Sequence, residues 1–145
     1  MPVYRNLNNL PTFKNAVITV GTFDGVHKGH IILIQQIIDE SKKRNGESVL
    51  ISFEPHPRTI LQPDNTTLKL LTTTDEKTEL IERAGVHHIV IAPFTRRFSG
   101  LNAREYLENF LVKLFYPSAI VLGYNHQFGH HRDGNIELLM KYASI

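Results

Sequence analysis

Four apolar runs, at about Ala16 to Gly21, Ser48 to Phe53, His87 to Ala92 and Ser118 to Gly123, alternate with stretches whose apolar residues recur at helical spacing. This alternation constrains the fold more than any other feature. Runs such as SVLISF and SAIVLG hold so few polar residues that a strand built from them must be covered on both faces. A strand, a helix and a second strand in succession imply a parallel pair joined by a right-handed crossover. Repeated along the chain, the pattern predicts an α/β fold: an open, mostly parallel, doubly wound sheet with helices on both faces.

The first helix follows the turn after Gly21. Ile31, Ile34 and Ile38 are expected to line its buried face, with Leu33 and Ile37 widening it and Gln35, Gln36, Asp39 and Glu40 outside. It should stop near Asn45-Gly46. Thr73 and Glu76 have capping-box spacing before a second helix that holds Leu80, Ile81 and Ala84 and ends at Gly85. After FTRRFSGLN comes the cleanest amphipathic stripe: Ala103, Tyr106, Leu107, Phe110, Leu111 and Leu114, capped by Asn102 with Glu105 and closed by Pro117. Residues 1 to 15 read as an extended lead-in whose few apolar side chains pack on the core, and Ile136 to Tyr142 as the start of another helix.

With 145 residues, 41% of them apolar, the chain can bury one core and is expected to be a single domain, 1–145. The lack of cysteine excludes disulfides and thiolate chemistry. A net charge of +2 gives no electrostatic footprint for nucleic acid; Lys42-Lys43-Arg44, the longest basic run, falls where cations complement a helix C-terminus. The start, MPVYRNLNNLP, has no apolar signal region, and no apolar run reaches spanning length, so a cytoplasmic setting without membrane insertion is expected.

Three polar segments rich in Gly, Pro or His, at 21 to 30, 54 to 58 and 123 to 135, follow the carboxyl ends of predicted strands. Ligands bind at that edge of an open parallel sheet, so the three should converge. In GTFDGVHKGH the glycines allow close backbone approach, and the following helix start offers unpaired N–H groups and a positive dipole end, which suits phosphate. His27 and His30 can donate hydrogen bonds or carry charge there. The same two residues also fit a simple capped helix start, or two ligands of a zinc site that lacks an evident third. Pro55 and Pro57 must end their strand, because neither can donate to a ladder. His126, His130 and His131 look like a metal cluster by composition but read as loop residues, and His87 and His88 read as structural. Tyr106 and Phe110 belong to the core stripe.

GTFDGVHKGHIILI resembles the H-x-G-H nucleotide-binding motif of the nucleotidylyltransferase superfamily. The longer pattern G-x-F-D-G-V-H-x-G-H is similar to that of the prokaryotic bifunctional riboflavin kinase/FMN adenylyltransferase (FAD synthetase) family. Phe53 to Pro57 (FEPHP), the linking helix LLTTTDEKTELIERAGV and VLGYNHQFGHHRDGN resemble further segments of that family, in the same order, so that the likeness runs from about Ala16 to Leu139. It implies a Rossmann-like nucleotidylyltransferase fold and transfer of AMP from ATP to FMN, giving FAD and pyrophosphate, with Mg²⁺ bridging phosphates. In that reading His27 and His30 are catalytic, and backbone at Gly21, Thr22, Phe23, Asp24, Gly25 and Gly29 cradles ATP. His56, Pro57, Asn125 and Phe128 lie near the flavin or across the ATP site, and no protein metal ligand is assigned.

Two departures stand out. Many members carry an acidic residue or Phe where this chain has Asn125 or His126. The family's later Ser/Thr-Arg motif and its riboflavin kinase barrel have no counterpart up to Ile145, so residues 1–145 are expected to be a piece of a longer protein. Rival readings are another H-x-G-H transferase, such as a cytidylyltransferase or a pantetheine-phosphate or nicotinate-mononucleotide adenylyltransferase, and a nucleotide-binding fragment without turnover.

Overall fold

The computed structural model describes residues 3–21, 23, 28–54 and 74–122. Five strands form one sheet: β1 (Val3–Tyr4), β2 (Val17–Val20), β3 (Ser48–Glu54), β4 (His88–Pro93) and β5 (Ala119–Ile120). Their order is β1-β4-β3-β2-β5, and every pairing is parallel. Four helical stretches connect or cover them: α1 (Lys28–Lys43), α2 (Thr74–Ala84), the single turn α3 (Arg96–Ser99), and α4, which runs from Ala103 to Phe115.

The chain steps from β2 through α1 to β3, then through α2 to β4, moving in one direction across the sheet. It next returns to lay β5 on the far side of β2. Right-handed crossovers in opposite directions put their helices on opposite faces. Accordingly, α1 and α2 cover one face, where Ile34, Ile37 and Ile81 pack on Val17, Leu50 and Ile89. α4 covers the other, where Leu107, Phe110 and Phe115 pack with Phe13 on Ile18, Val49 and Val90. The doubly wound sheet is therefore as expected, and the residues of β2 and β3 that alternate between the two clusters explain why those runs needed to be apolar on both sides.

Several local expectations are revised. The lead-in does pack Leu7, Leu10 and Phe13 on the core, but Val3 and Tyr4 also pair with Ile89 and Val90 as an edge strand. Two residues carry too little periodicity to reveal a strand. On α1, Leu33, Ile34, Ile37 and Ile38 face inward, whereas Ile31 is 44% exposed. The place one turn before Ile34 belongs to His30. Leu80 on α2 is also exposed, leaving Ile81 as the buried anchor. Gly85 ends α2 at φ +98°, a left-handed cap that only glycine takes without strain. Thr73 lies outside the described residues, and the capping box assigned to it has no structural account.

α4 starts on the expected capping box: Asn102 Oδ1 accepts from the Glu105 N–H at 2.8 Å, and Glu105 Oε1 accepts from the Asn102 N–H at 3.2 Å. Its middle, Tyr106–Val112, is π-helical. The wider turn changes the phase of the last residues, so that Phe115, five after Phe110, is buried and Leu114 is only partly so. Asn102 to Glu105 and the stripe from Ala103 to Leu111 are otherwise as read.

His87 and His88 are structural, at the amino edge of the sheet. The Ser48 N–H donates to His87 Nδ1 at 3.0 Å, and the His87 N–H donates back to Ser48 Oγ at 3.0 Å. His88 Nε2 meets Glu47 Oε2, and the His88 ring lies 4.9 Å from that of Phe13. The Lys14 N–H also donates to Glu47 Oε1, so this carboxylate joins the lead-in to β4.

Candidate nucleotide site at the carboxyl edge

β2 is the strand from which the chain departs in both directions, since β3 flanks it on one side and β5 on the other. In a doubly wound sheet this switch point opens a crevice outside the carboxyl ends of the strands. The segment GTFDGVHKGH leaves the sheet there, directly after Val20. The strands on either side, β3 and β5, release the segments beginning at 54 and 123 from the same edge, because all three strands are parallel. Of the expected convergence, this shared edge is what the described residues contain.

At the end of β2 the Gly21 N–H donates to Ile51 O at 3.0 Å. That amide extends the ladder and is not a spare donor for an anion. Gly21 contributes by lacking a side chain: a Cβ there would stand 3.0 Å from Phe23 Cε2 and 3.3 Å from Cζ. Beneath the turn, Thr19 and Ser52 are fully buried among apolar neighbours, and Thr19 Oγ1 has no hydrogen-bond partner among the described residues.

Phe23 is the unexpected residue. Its φ is +52°, a left-handed conformation in which a bulky side chain costs roughly 1–2 kcal/mol. Its ring is nonetheless 2% exposed, packed in the cluster with Ile34, Ile37 and Leu50 beneath α1. Burying a Phe side chain returns about 1.5–3 kcal/mol, enough to hold the strained backbone. The ring is core, so Phe23 can offer a nucleotide only its backbone. One apolar aromatic in an otherwise polar turn was the sequence signal for this, though the turn's left-handed geometry was not readable.

His30 occupies the first turn of α1, half-buried, with its ring 5.0 Å from that of Phe23 at 62°. The first turn of a helix presents N–H groups without intrahelical acceptors, at the positive end of the dipole. Gly29 lies in the same turn. An imidazole beside such donors adds a further donor, or a positive charge, for an anion. Across the edge, Arg5 forms an ion pair of 2.6 Å with Glu54, the last residue of β3. Both are about half exposed, so the pair fixes geometry more than it stabilises. Of the remaining expected site residues, Thr22, Asp24, Gly25, His27, His56, Pro57, Asn125 and Phe128 lie outside the described residues, as do His126, His130 and His131. Among the described residues, no group of three His, Asp or Glu side chains could hold a metal ion.

A doubly wound parallel sheet with a glycine-punctuated strand-helix junction at its switch point defines a nucleotide-binding α/β protein. The model of one family, FAD synthetase, matches residues 10–145, and the chain belongs to that family. It is 34% identical over 143 residues to the bifunctional riboflavin kinase/FMN adenylyltransferase of Escherichia coli K12, an alignment covering 97% of this chain and 45% of that protein. The protein of the same name from Buchnera aphidicola subsp. Schizaphis graminum is 36% identical over 140 residues, again with 45% of its length covered. The chain thus spans a little under half the length of these relatives. Among solved structures, a Streptococcus pneumoniae protein named as a macrolide-efflux protein superposes with a TM-score of 0.84 at 26% identity, over 98% of this chain and 46% of that one. A lipopolysaccharide core biosynthesis protein from Thermoplasma volcanium GSS1, 17% identical, shares the fold alone at a TM-score of 0.52, over 90% of this chain and 87% of its own. Among the described residues no helix is long and apolar enough to cross a membrane.

Proposed function

We propose that this domain transfers AMP from ATP to the phosphate of FMN, giving FAD and pyrophosphate. The observation that carries the reading is the exit of GTFDGVHKGH at the switch point, with His30 in the first turn of α1. Membership of the FAD synthetase family and the names of the relatives supply the substrates. The chemistry asks for positioning and charge stabilisation: an FMN phosphate oxygen attacks the α-phosphorus in line as the bond to pyrophosphate breaks. His30 and His27 would hold ATP phosphates and stabilise the charge growing on the leaving pyrophosphate. Backbone between Gly21 and Gly25 and at Gly29 would line the nucleotide, and His56, Pro57, Asn125 and Phe128 would meet the flavin or close the ATP site. Mg²⁺ would arrive on the ATP phosphates and neutralise their charge, as this ion does where proteins supply few of its ligands.

In the same reading the chain is the adenylylation part of a longer cytoplasmic protein that also phosphorylates riboflavin. Calorimetric titration of the chain with Mg·ATP and with FMN tests the site. Binding of both is expected, with ATP affinity reduced at least tenfold in His27→Ala and His30→Ala. Unchanged ATP binding in both variants would refute the assignment. ATP binding with no FAD formed in a chain extended to the relatives' length would favour a nucleotide-binding module without turnover.

A further inference from the structure

We propose that Phe23 is a positioning residue for His30, holding the imidazole in one orientation at the head of α1. The proposal rests on the reading of His30 as a nucleotide contact, and three observations carry it. The Phe23 backbone sits at φ +52°, where an aromatic residue stays only when its surroundings impose it. Its ring is buried among Ile34, Ile37 and Leu50, so it cannot swing away without opening the core. The same ring meets the His30 imidazole at 5.0 Å and 62°, an edge-to-face arrangement that favours one rotation of the imidazole over others.

Gly21 completes the device from below. A side chain at position 21 would press within 3.0 Å of the Phe23 ring edge. The turn therefore places its glycine where the ring must pass and its aromatic where the imidazole must rest. A histidine at a helix start without such a wall would sample several rotamers and lose entropy on gripping a phosphate. Here that ordering is done by folding, which is the structural meaning of preorganisation.

The test follows histidine side-chain NMR signals of the full chain, with His30 assigned through His30→Ala. In the wild type, NOEs between the His30 and Phe23 rings are expected, together with His30 shifts displaced from those of exposed histidines by the neighbouring ring current. Phe23→Leu keeps an apolar side chain of similar reach but removes the ring. It should return the His30 shifts toward exposed values and weaken ATP binding on the order of tenfold, in line with the effect of small misplacements in a site. Gly21→Ala, which pushes on the ring from the other side, should move the same His30 signals without touching Phe23 itself.

Missing ring-to-ring NOEs in the wild type would overturn the proposal, whatever the variants do. So would His30 signals in Phe23→Leu that superpose on the wild type's. If the wild type binds no ATP while the His30 signals respond as expected, the nucleotide reading fails and the ring coupling stands. If ATP binds and the His30 signals ignore both substitutions, the coupling alone is wrong.

Discussion

Gly46 carries the severest substitution effect that the described residues predict. It follows α1 at the amino edge of the sheet, where the chain passes beside Asn15, and a Cβ added to it would stand 2.8 Å from Asn15 Cβ and 2.9 Å from the Asn15 carbonyl carbon. Carbon atoms pack at about 3.5–4.0 Å, so the two segments must part by more than half an ångström. Neither can retreat freely. Glu47 N donates to Lys14 O at 3.0 Å, Lys14 N donates to Glu47 Oε1 at 2.8 Å, and Asn15 Nδ2 donates to Arg44 O at 3.2 Å. Asn15 is itself held at φ +45°. Losing two of these bonds at about 1 kcal/mol each, with overpacking of at least about 1 kcal/mol, gives roughly 3 kcal/mol for Gly46→Ala. In a domain of this size that lowers Tm on the order of 10 °C. The matched control is Gly100→Ala, whose new Cβ meets Arg97 O at an ordinary 3.5 Å with φ at −84°, and whose effect should stay within about 1 kcal/mol. Urea unfolding followed by far-UV circular dichroism measures both. The reasoning is refuted if Gly46→Ala is as stable as Gly100→Ala. Because Gly46 lies at the edge opposite the nucleotide crevice, ATP affinity at low temperature should survive the substitution.

The Glu47 carboxyl is held below its usual range of about 4.5, first by the hydrogen bond with His88 and then by the Lys14 N–H. A depressed carboxylate pKa stabilises the fold above its unfolded value and ceases to do so as pH falls through the folded value, so the contribution should disappear below about pH 4.5. Glu47→Gln should flatten the acid limb of a Tm-against-pH profile, and an unchanged limb would count against this pairing. At the end of α4, Phe115→Ala should cost about 3–5 kcal/mol in chemical denaturation and Leu114→Ala clearly less, because the ring is 1% exposed and the leucine only partly buried. The reverse ranking would mean that the π-helical stretch does not shift the phase.

The architecture was readable because SVLISF, HIVIA and VITV demand cover on both faces, and only a doubly wound parallel sheet gives it to all three. The carboxyl-edge location of GTFDGVHKGH followed from that. What stayed hidden depends on tertiary detail. Ile31 and His30 compete for the same helical face, and no spacing rule says that the histidine takes the inward position. The left-handed Phe23 carries no sequence mark, since glycine or asparagine is the usual occupant of such backbone. The phase change in α4 required knowledge of a π-helical turn, which the stripe from Ala103 to Leu111 does not announce.

The position of β2 between β3 and β5 has a consequence for synthesis on the ribosome. Its first neighbour, starting at Ser48, emerges soon after it, but its second pairs Val17 with Ala119, about a hundred residues later. At about 5–20 residues per second, several seconds separate the completion of β3 from the arrival of β5. During that interval β2 is a strand with an open flank beside the emerging nucleotide crevice, and the nascent chain has reason to linger with a chaperone. Closure of that flank by Ala119 and Ile120 converts a half-built sheet into a binding edge, so the ability to grip a nucleotide should switch on late and all at once.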